Sequence, residues 1–264
     1  MRVNDLDLHV EVDGYGPPLL LLHGFTGSLH AWDGVRSALG IRARLVLVDL
    51  IGHGQSDAPE DAERYTLEWC ARDLLAILDE LRLERVSVLG YSMGGRVALH
   101  LALAAPERIT ALLLESASPG IADDVERQHR FEADTRLAER IERHGVERFV
   151  EEWEQQPLLV LADPVPPNVR VEQHQQRLRN TPLGLANSLR GMGTGRQRSL
   201  WGGLPTLRTP TRLLVGEHDA RYCAIGQHMV ELIPGARLTV AREAGHTVHL
   251  DQPDLCIRWA STAL

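Results

Sequence analysis

The sequence predicts an α/β protein in which helices cover both faces of a mostly parallel sheet. Short, continuous apolar runs, typical of strands buried on both faces, alternate with stretches of helical periodicity in the order β-α-β-α-β-α-β. A length of 264 residues, 44% hydrophobic and 24% charged, is ordinary for a globular protein and suffices for one large domain with an inserted segment.

Most of the predicted core lies in the first 119 residues. The alternation of apolar and polar residues over 2–12 is typical of an antiparallel edge strand or one half of a hairpin. A clear apolar stripe predicts a helix over Thr66–Leu81. The other predicted strands are Leu19–Leu22, Arg44–Val48, Val86–Leu89 and Ile109–Leu114, and the other helices are Leu29–Leu39 and residues 93–105.

The character of the sequence changes at about residue 120 and again near 203. Between these positions charged helical patterns replace apolar strand runs, and prolines at 157, 164, 166 and 167 interrupt them. We therefore predict a helical cap, residues 120–203, inserted between two core parts, residues 1–119 and 204–264. The remaining predicted elements are a cap helix at Leu185–Leu189, strands Thr211–Val215 and Arg237–Val240, and helices Ala224–Leu232 and Pro253–Leu264.

Composition excludes several classes of function. The net charge of −8 gives no electrostatic case for a nucleic-acid partner, and all 28 basic residues are arginine, which excludes Schiff-base and P-loop lysines. No apolar run predicts a membrane span or a signal peptide. The widely spaced Cys70, Cys223 and Cys256 predict reduced thiols, no zinc site and a cytoplasmic location.

The stretch Val86–Arg96 carries the strongest chemical signal. A β-branched apolar run stops at Gly90, Ser92 follows in a G-x-S-x-G frame, and a helix-forming run continues to Pro106. Strand, sharp turn and helix form the context of a nucleophile elbow, in which a strained turn projects the serine hydroxyl above the sheet. The pattern favours a catalytic Ser92 over an incidental glycine-rich turn.

A second loop fits the same machinery. His23-Gly24-Phe25 directly follows the buried strand Leu19–Leu22. Backbone N–H groups in such a loop, and just after a nucleophile, can point at one spot and hold a developing oxyanion. We therefore predict that the amides of Phe25 and Met93 form an oxyanion hole.

Two further residues complete a catalytic triad. A serine hydroxyl is inert at neutral pH unless a base accepts its proton and an acid orients that base. The chain order Ser, Asp, His is that of the α/β-hydrolase fold, and Ser92, Asp219 and His246 satisfy it. Each of them directly follows a predicted strand, at the edge where such sheets bind ligands. The sequence therefore predicts an α/β-hydrolase fold with this triad.

Other residues compete for the supporting roles. The rivals are Glu115 for the acid, and His249 and His218 for the base. The triad above is preferred because of the loop positions of its members in this fold. His53 and Asp49 belong to a glycine-rich turn and are interpreted as structural.

Arg96 lies one helical turn after Ser92, where an arginine is costly unless it meets an anion. With this arginine, Gly90–Arg96 resembles the elbow of a menaquinone-pathway enzyme family, the 2-succinyl-6-hydroxy-2,4-cyclohexadiene-1-carboxylate synthases. The resemblance covers nearly the whole chain, including Glu115–Ile121, Trp153–Leu158 and Gly184–Arg190. Two departures, Ile51 in place of a proline and His218 before the aspartate, do not touch the chemistry.

The resemblance implies a lyase. The family's substrate is 2-succinyl-5-enolpyruvyl-6-hydroxy-3-cyclohexene-1-carboxylate, from which a proton is removed, a double bond shifts and pyruvate leaves. It implies that His246 and Asp219 activate Ser92 as the base, while the Phe25 and Met93 amides hold charge developing on the succinyl carbonyl. No metal and no organic cofactor are implied.

The family's substrate carries three carboxylates, which guanidinium groups bind bidentately. The resemblance implies Arg96, Arg130 and Arg177 as substrate-binding residues, with Tyr91 and Trp153 as pocket residues. Alternatives to the two cap arginines are Arg127, Arg179 and Arg190.

Two other functions compete with the lyase. A serine carboxylesterase or carbon–carbon bond hydrolase would use the same fold and triad, and would leave Arg96 unexplained. A non-enzymatic receptor would have no need of a complete triad. The expected partner is a small anionic tricarboxylate, with no membrane partner, and the protein is expected to be a monomer or a small homo-oligomer.

Overall fold

The computed structural model describes residues 1–162 and 165–264, so that Pro164 of the predicted cap lies outside the described residues. Seven strands, β3 to β9, form one sheet, and β1 and β2 form a small hairpin beside it. The strands are β1 (Arg2–Val3), β2 (Leu6–Asp7), β3 (Val10–Asp13), β4 (Pro18–Leu22), β5 (Arg44–Val48), β6 (Val86–Tyr91), β7 (Ile109–Glu115), β8 (Thr211–Gly216) and β9 (Arg237–Ala241).

The strand order is β3-β5-β4-β6-β7-β8-β9. β3 pairs antiparallel with β5 at one edge, and every other pairing is parallel. The sheet needs cover on both faces, and the side chains of β4 alternate accordingly: Leu20 and Leu22 pack on one face, Leu19 and Leu21 on the other.

Helices supply that cover. α2 and α3 pack on the face of Leu20, while α1 and α9 pack on the face of Leu19. The mostly parallel sheet with helices on both faces is therefore as predicted. The helices are α1 (Asp33–Gly40), α2 (Leu67–Glu80), α3 (Met93–Ala104), α4 (Asp124–Glu154), α5 (Pro167–Leu178), α6 (Pro182–Met192), α7 (Ala220–Leu232), α8 (Val248–Asp251) and α9 (Pro253–Ser261).

The chain between β7 and β8 forms the helices α4, α5 and α6. The side chain of Asp123 accepts a hydrogen bond from the Glu126 amide and so caps α4. Gly145, with φ 83°, interrupts α4 and divides it into two segments. These helices have a small core of their own, formed by Ala138, Ile141, Val146, Phe149, Val150, Leu185, Ala186 and Leu189.

Several boundaries differ from the predicted ones. The stretch 2–12 is divided because Asn4 and Asp5, at φ 47° and 65°, turn the chain between β1 and β2. Residues 29–32 form a 3-10 turn before α1. α7 begins at Ala220 because Asp219 caps it. α5 and α8 were not predicted, since one is mostly polar and the other is only four residues long.

Candidate active site

Ser92 occupies the turn between β6 and α3. Its φ of 49° and ψ of −106° are strained for a residue with a side chain. Such a turn brings backbones together, because a Cβ atom on Gly94 would collide with the Leu22 carbonyl, and one on Gly90 with the Gly94 carbonyl. The glycines of the G-x-S-x-G frame therefore permit the close approach of strand and helix.

The structure brings Ser92, His246 and Asp219 together. Nε2 of His246 lies 3.0 Å from Oγ of Ser92, and Nδ1 lies 2.6 Å from Oδ2 of Asp219. Because an ionised carboxylate only accepts hydrogen bonds, this contact places the imidazole proton on Nδ1. Nε2 is then free to take the proton of the serine hydroxyl.

Two tyrosines hold the imidazole in place. The ring of Tyr222 makes an edge contact with the His246 ring at 4.6 Å, and its backbone amide donates to Oδ1 of Asp219 at 3.2 Å. The Tyr91 ring lies 5.5 Å from the His246 ring, and its hydroxyl is bonded to Thr247 Oγ1 at 2.8 Å. These contacts restrict the histidine to the orientation that proton transfer requires.

Phe25 and Met93 line the same cavity as Ser92. Met93 is the first residue of α3, so its amide lies among the N–H groups that have no partner within the helix. This position suits the amide for holding negative charge next to Ser92. Phe25 follows β4, the strand beside β6 in the sheet, as the predicted oxyanion loop requires.

The rivals for the triad lie elsewhere. Oε1 of Glu115 accepts hydrogen bonds from Nδ1 and the backbone amide of His249, at 2.8 and 3.0 Å. The His249 ring also packs against Trp32 at 4.7 Å. Glu115 and His249 thus form a separate buried pair, and His218 is exposed to solvent.

The glycine-rich turn after β5 is held by hydrogen bonds. Asp49 accepts from the amides of Leu29 at 2.6 Å and Gln55 at 2.9 Å. His53 is buried against the rings of His23 and Phe25, at 5.1 and 5.8 Å. Burial, reinforced by His23, lowers the pKa of His53 to about 3, so this histidine is neutral in the folded protein.

We expect His53 to destabilise the protein as the pH falls. The unfolded chain protonates this histidine near pH 6.5, whereas the folded protein does so only near its pKa of about 3. The unfolding free energy should therefore decline between these values, by up to about 1.4 kcal/mol per pH unit. Urea unfolding across this window should show a shallower decline for His53→Leu. Equal slopes in the two proteins would contradict the expectation.

A cavity of about 470 Å³ opens above Ser92. This volume is within the range of small-molecule sites. Its wall contains Ser92 and His246 from the core and Arg130 and Trp153 from α4, so it lies between the sheet edge and the predicted cap.

Arg96 is a buried cation in this wall, with 8% of its surface exposed. Nη1 donates to the Met192 carbonyl at 2.7 Å and to Gln197 Oε1 at 2.9 Å. In residues 1–162 and 165–264 no carboxylate lies within ion-pair distance of it. Burial lowers its pKa to about 10, which leaves it charged at neutral pH. The cavity thus presents a cation that an anionic ligand would neutralise.

Three other predicted binding residues also line this cavity: Arg130, Tyr91 and Trp153. Nε of Arg130 donates to Asp134 at 2.7 Å, and the arginine side chain is 39% exposed. The indole nitrogen of Trp153 is buried and has no hydrogen-bond partner within the described part of the chain.

Arg177 faces a different cavity. This second space, of about 100 Å³, lies on the other side of Phe25 and Tyr91, which line both. Nη1 of Arg177 donates to Oε1 of Glu154 at 2.7 Å. The alternatives Arg127, Arg179 and Arg190 do not line the main cavity.

The sequence reasoning missed several cavity residues, among them Arg221 and Tyr222. Arg221 and Tyr222 follow Asp219 in the first turn of α7 and line the main cavity. Their position along the chain could have identified them. A helix that begins directly after Asp219 places its first turn at the same edge of the sheet.

Three further observations concern residues 1–162 and 165–264. No group of three or more His, Cys, Asp or Glu side chains there is placed to hold a metal ion. None of the helices in these ranges combines the length and apolarity needed to cross a bilayer. Cys70, Cys223 and Cys256 are free thiols.

Known proteins resemble this chain in sequence and structure. The alpha/beta hydrolase fold family matches residues 17–253. The putative 2-succinyl-6-hydroxy-2,4-cyclohexadiene-1-carboxylate synthase of Bacillus subtilis is 43% identical over 237 residues, which is 90% of this chain and 86% of that protein. The structure of MenH from S. aureus is similar with a TM-score of 0.91 at 30% identity, covering 97% of both chains. A malate-bound thermophilic esterase from Thermogutta terrifontis has a TM-score of 0.86 at 28% identity, covering 98% of this chain and 94% of the esterase.

Proposed function

The chain belongs to the α/β-hydrolase fold family and, within it, to the 2-succinyl-6-hydroxy-2,4-cyclohexadiene-1-carboxylate synthases, and from this premise we propose how its site works. The fold and the family are those expected from the sequence. The enzyme is a lyase of menaquinone biosynthesis that eliminates pyruvate from 2-succinyl-5-enolpyruvyl-6-hydroxy-3-cyclohexene-1-carboxylate. One observation supports this assignment at the site: Arg96 is buried in the same cavity wall as Ser92 and has no carboxylate partner among residues 1–162 and 165–264.

The triad acts here as a base. His246, oriented by Asp219, takes the hydroxyl proton of Ser92, and the serine oxygen removes the substrate proton next to the succinyl carbonyl. The electron pair of that C–H bond moves through the ring, the double bond shifts, and the C–O bond to the enolpyruvyl group breaks. Pyruvate leaves with its electron pair and gains a proton.

Negative charge develops on the succinyl carbonyl oxygen during proton removal. The amides of Phe25 and Met93 stabilise this charge, because backbone donors that are already in place need no reorganisation when the charge develops. Arg96 and Arg130 bind substrate carboxylates, with Tyr91 and Trp153 as neighbouring walls. Arg177 would reach the substrate only if α5 moved, since Glu154 holds it at the second cavity.

A serine carboxylesterase is the second candidate. A serine hydrogen-bonded to a histidine is also what acyl transfer requires, and an esterase has a TM-score of 0.86 to this chain. An ester with no carboxylate would leave the charge of Arg96 without a partner, which disfavours this reading.

A pyruvate-release assay separates the two functions. The substrate is made in place by the preceding pathway enzyme, pyruvate is detected by coupled NADH oxidation, and spontaneous release is subtracted. A p-nitrophenyl ester serves as the control substrate. Rapid pyruvate release with negligible ester cleavage supports the lyase, whereas ester cleavage without pyruvate release would refute it.

We also propose the location, the cap and the oligomeric state of the enzyme. We place it in the cytoplasm because its three cysteines are unpaired, as expected in a reducing compartment. Residues 120–203 act as the cap over the cavity, and the protein is a monomer or small homo-oligomer. Its reaction needs no metal or organic cofactor, so its activity should survive a chelator.

A further inference from the structure

Arg221 and Glu126 face each other across the mouth of the main cavity. Arg221 lies in the first turn of α7, in the core, and Glu126 lies in the first turn of α4. Nη2 of the arginine is 4.0 Å from Oε1 of the glutamate, and the two side chains are 60% and 63% exposed. An exposed ion pair at this distance contributes little to stability and is easily exchanged.

Arg221 is one of the few charged residues in the wall of the main cavity. The cations that line it are Arg96, Arg130 and Arg221, and Glu126 is the one acidic residue among the described residues of that wall. A substrate with three carboxylates is matched by three cations, and Arg177 faces the second cavity instead.

The three arginines all influence the charge state of one side chain next to the triad, that of Tyr222. Tyr222 lines the cavity and contacts the His246 ring. Burial and the charge of Asp219 raise the pKa of Tyr222, whereas the positive charges of Arg96, Arg221 and Arg130 each act to lower it. Arg221 therefore lies near the same part of the cavity wall as Arg96 and Arg130.

Resting on the function proposed above, we propose that Arg221 is a third carboxylate-binding residue, and that Glu126 occupies it until the substrate enters. A substrate carboxylate can bind the guanidinium bidentately at hydrogen-bond distance, whereas Glu126 only reaches 4.0 Å. Glu126 then competes with the substrate for Arg221. As a result, removing the two charges has opposite effects on substrate binding.

The test compares Arg221→Gln with Glu126→Gln in the pyruvate-release assay. Arg221→Gln should raise KM by about tenfold, while Glu126→Gln should lower it by about threefold, with kcat within about twofold of wild type in both. Arg221→Lys should restore part of the loss because it keeps the charge. A pair with only a structural role would give the same direction of change in both variants, and that result would overturn the proposal.

The chain provides a matched control. Arg136 and Glu132 form another exposed ion pair at 4.0 Å on α4, outside the main cavity. Arg136→Gln should leave KM unchanged, and a tenfold rise there would also overturn the proposal. Failure of the proposed function is distinguishable, since wild-type protein would then release no pyruvate. Pyruvate release with an unchanged KM in Arg221→Gln would refute the role of Arg221 alone.

Discussion

Replacing Ser92 by alanine should lower kcat for pyruvate release by about 10³-fold or more. In the proposed mechanism the serine oxygen takes the substrate proton, and it lies 3.0 Å from Nε2 of His246. Alanine removes only this oxygen and leaves the backbone of the turn as it is. The fold should therefore persist. Steady-state kinetics and urea unfolding measure both expectations.

In the proposed mechanism the triad residues act together, so variants of His246 and of a neighbouring histidine serve as comparisons for Ser92→Ala. His246→Ala should be nearly as inactive as Ser92→Ala, and the double variant should be no worse than either single one. His218→Ala is a matched control, because this histidine adjoins Asp219 in sequence but is exposed to solvent. It should keep kcat within about twofold. Wild-type turnover in Ser92→Ala would refute proton abstraction by the serine.

The triad could be predicted because the parallel sheet determines where its three members lie. In parallel strands the carboxyl ends meet at one edge, so residues that directly follow β6, β8 and β9 must lie near one another. The apolar runs of these strands are readable without any knowledge of the fold. The G-x-S-x-G frame and the chain order Ser, Asp, His then selected Ser92, Asp219 and His246 among the residues that follow strands.

The cap arginines depend on information that periodicity does not contain. Gly145 breaks α4 into two segments, and the direction of the second segment is set by packing against α6. Glu154 on this segment binds Arg177 and holds it at the second cavity. A tertiary ion pair of this kind has no signature in helical spacing, so the sequence could place Arg177 on a helix but not toward a cavity.

Arg221 and Tyr222, which were not predicted as cavity residues, show a related limit of sequence reasoning. α7 begins at Ala220, four residues before the predicted start, because Asp219 is both a triad member and the N-cap. The apolar pattern used for prediction begins only where the helix packs on the sheet. Its polar first turn, which carries Arg221 into the cavity, therefore lay outside the predicted helix.

Arg96→Gln should lower kcat/KM for pyruvate release by about 10²-fold, chiefly through KM. A buried charge-assisted contact is worth about 2–5 kcal/mol when one partner is removed, and about 2.7 kcal/mol corresponds to this factor. Glutamine keeps an amide donor but removes the positive charge that Arg96 presents to the cavity. Arg127→Gln, which changes an arginine outside the main cavity, should have no comparable effect.

Chemical rescue sharpens this expectation. Arg96→Ala leaves a space beside Ser92 into which free guanidinium can enter, and added guanidinium should recover part of the lost kcat/KM. The free protein holds Arg96 without a carboxylate partner among its described residues, and burial already lowers the pKa of this guanidinium. Substrate binding therefore relieves an existing electrostatic cost, which a neutral ester would not do. Full pyruvate release by Arg96→Gln would mean that the buried cation serves the fold, and the tricarboxylate assignment would lose its structural basis.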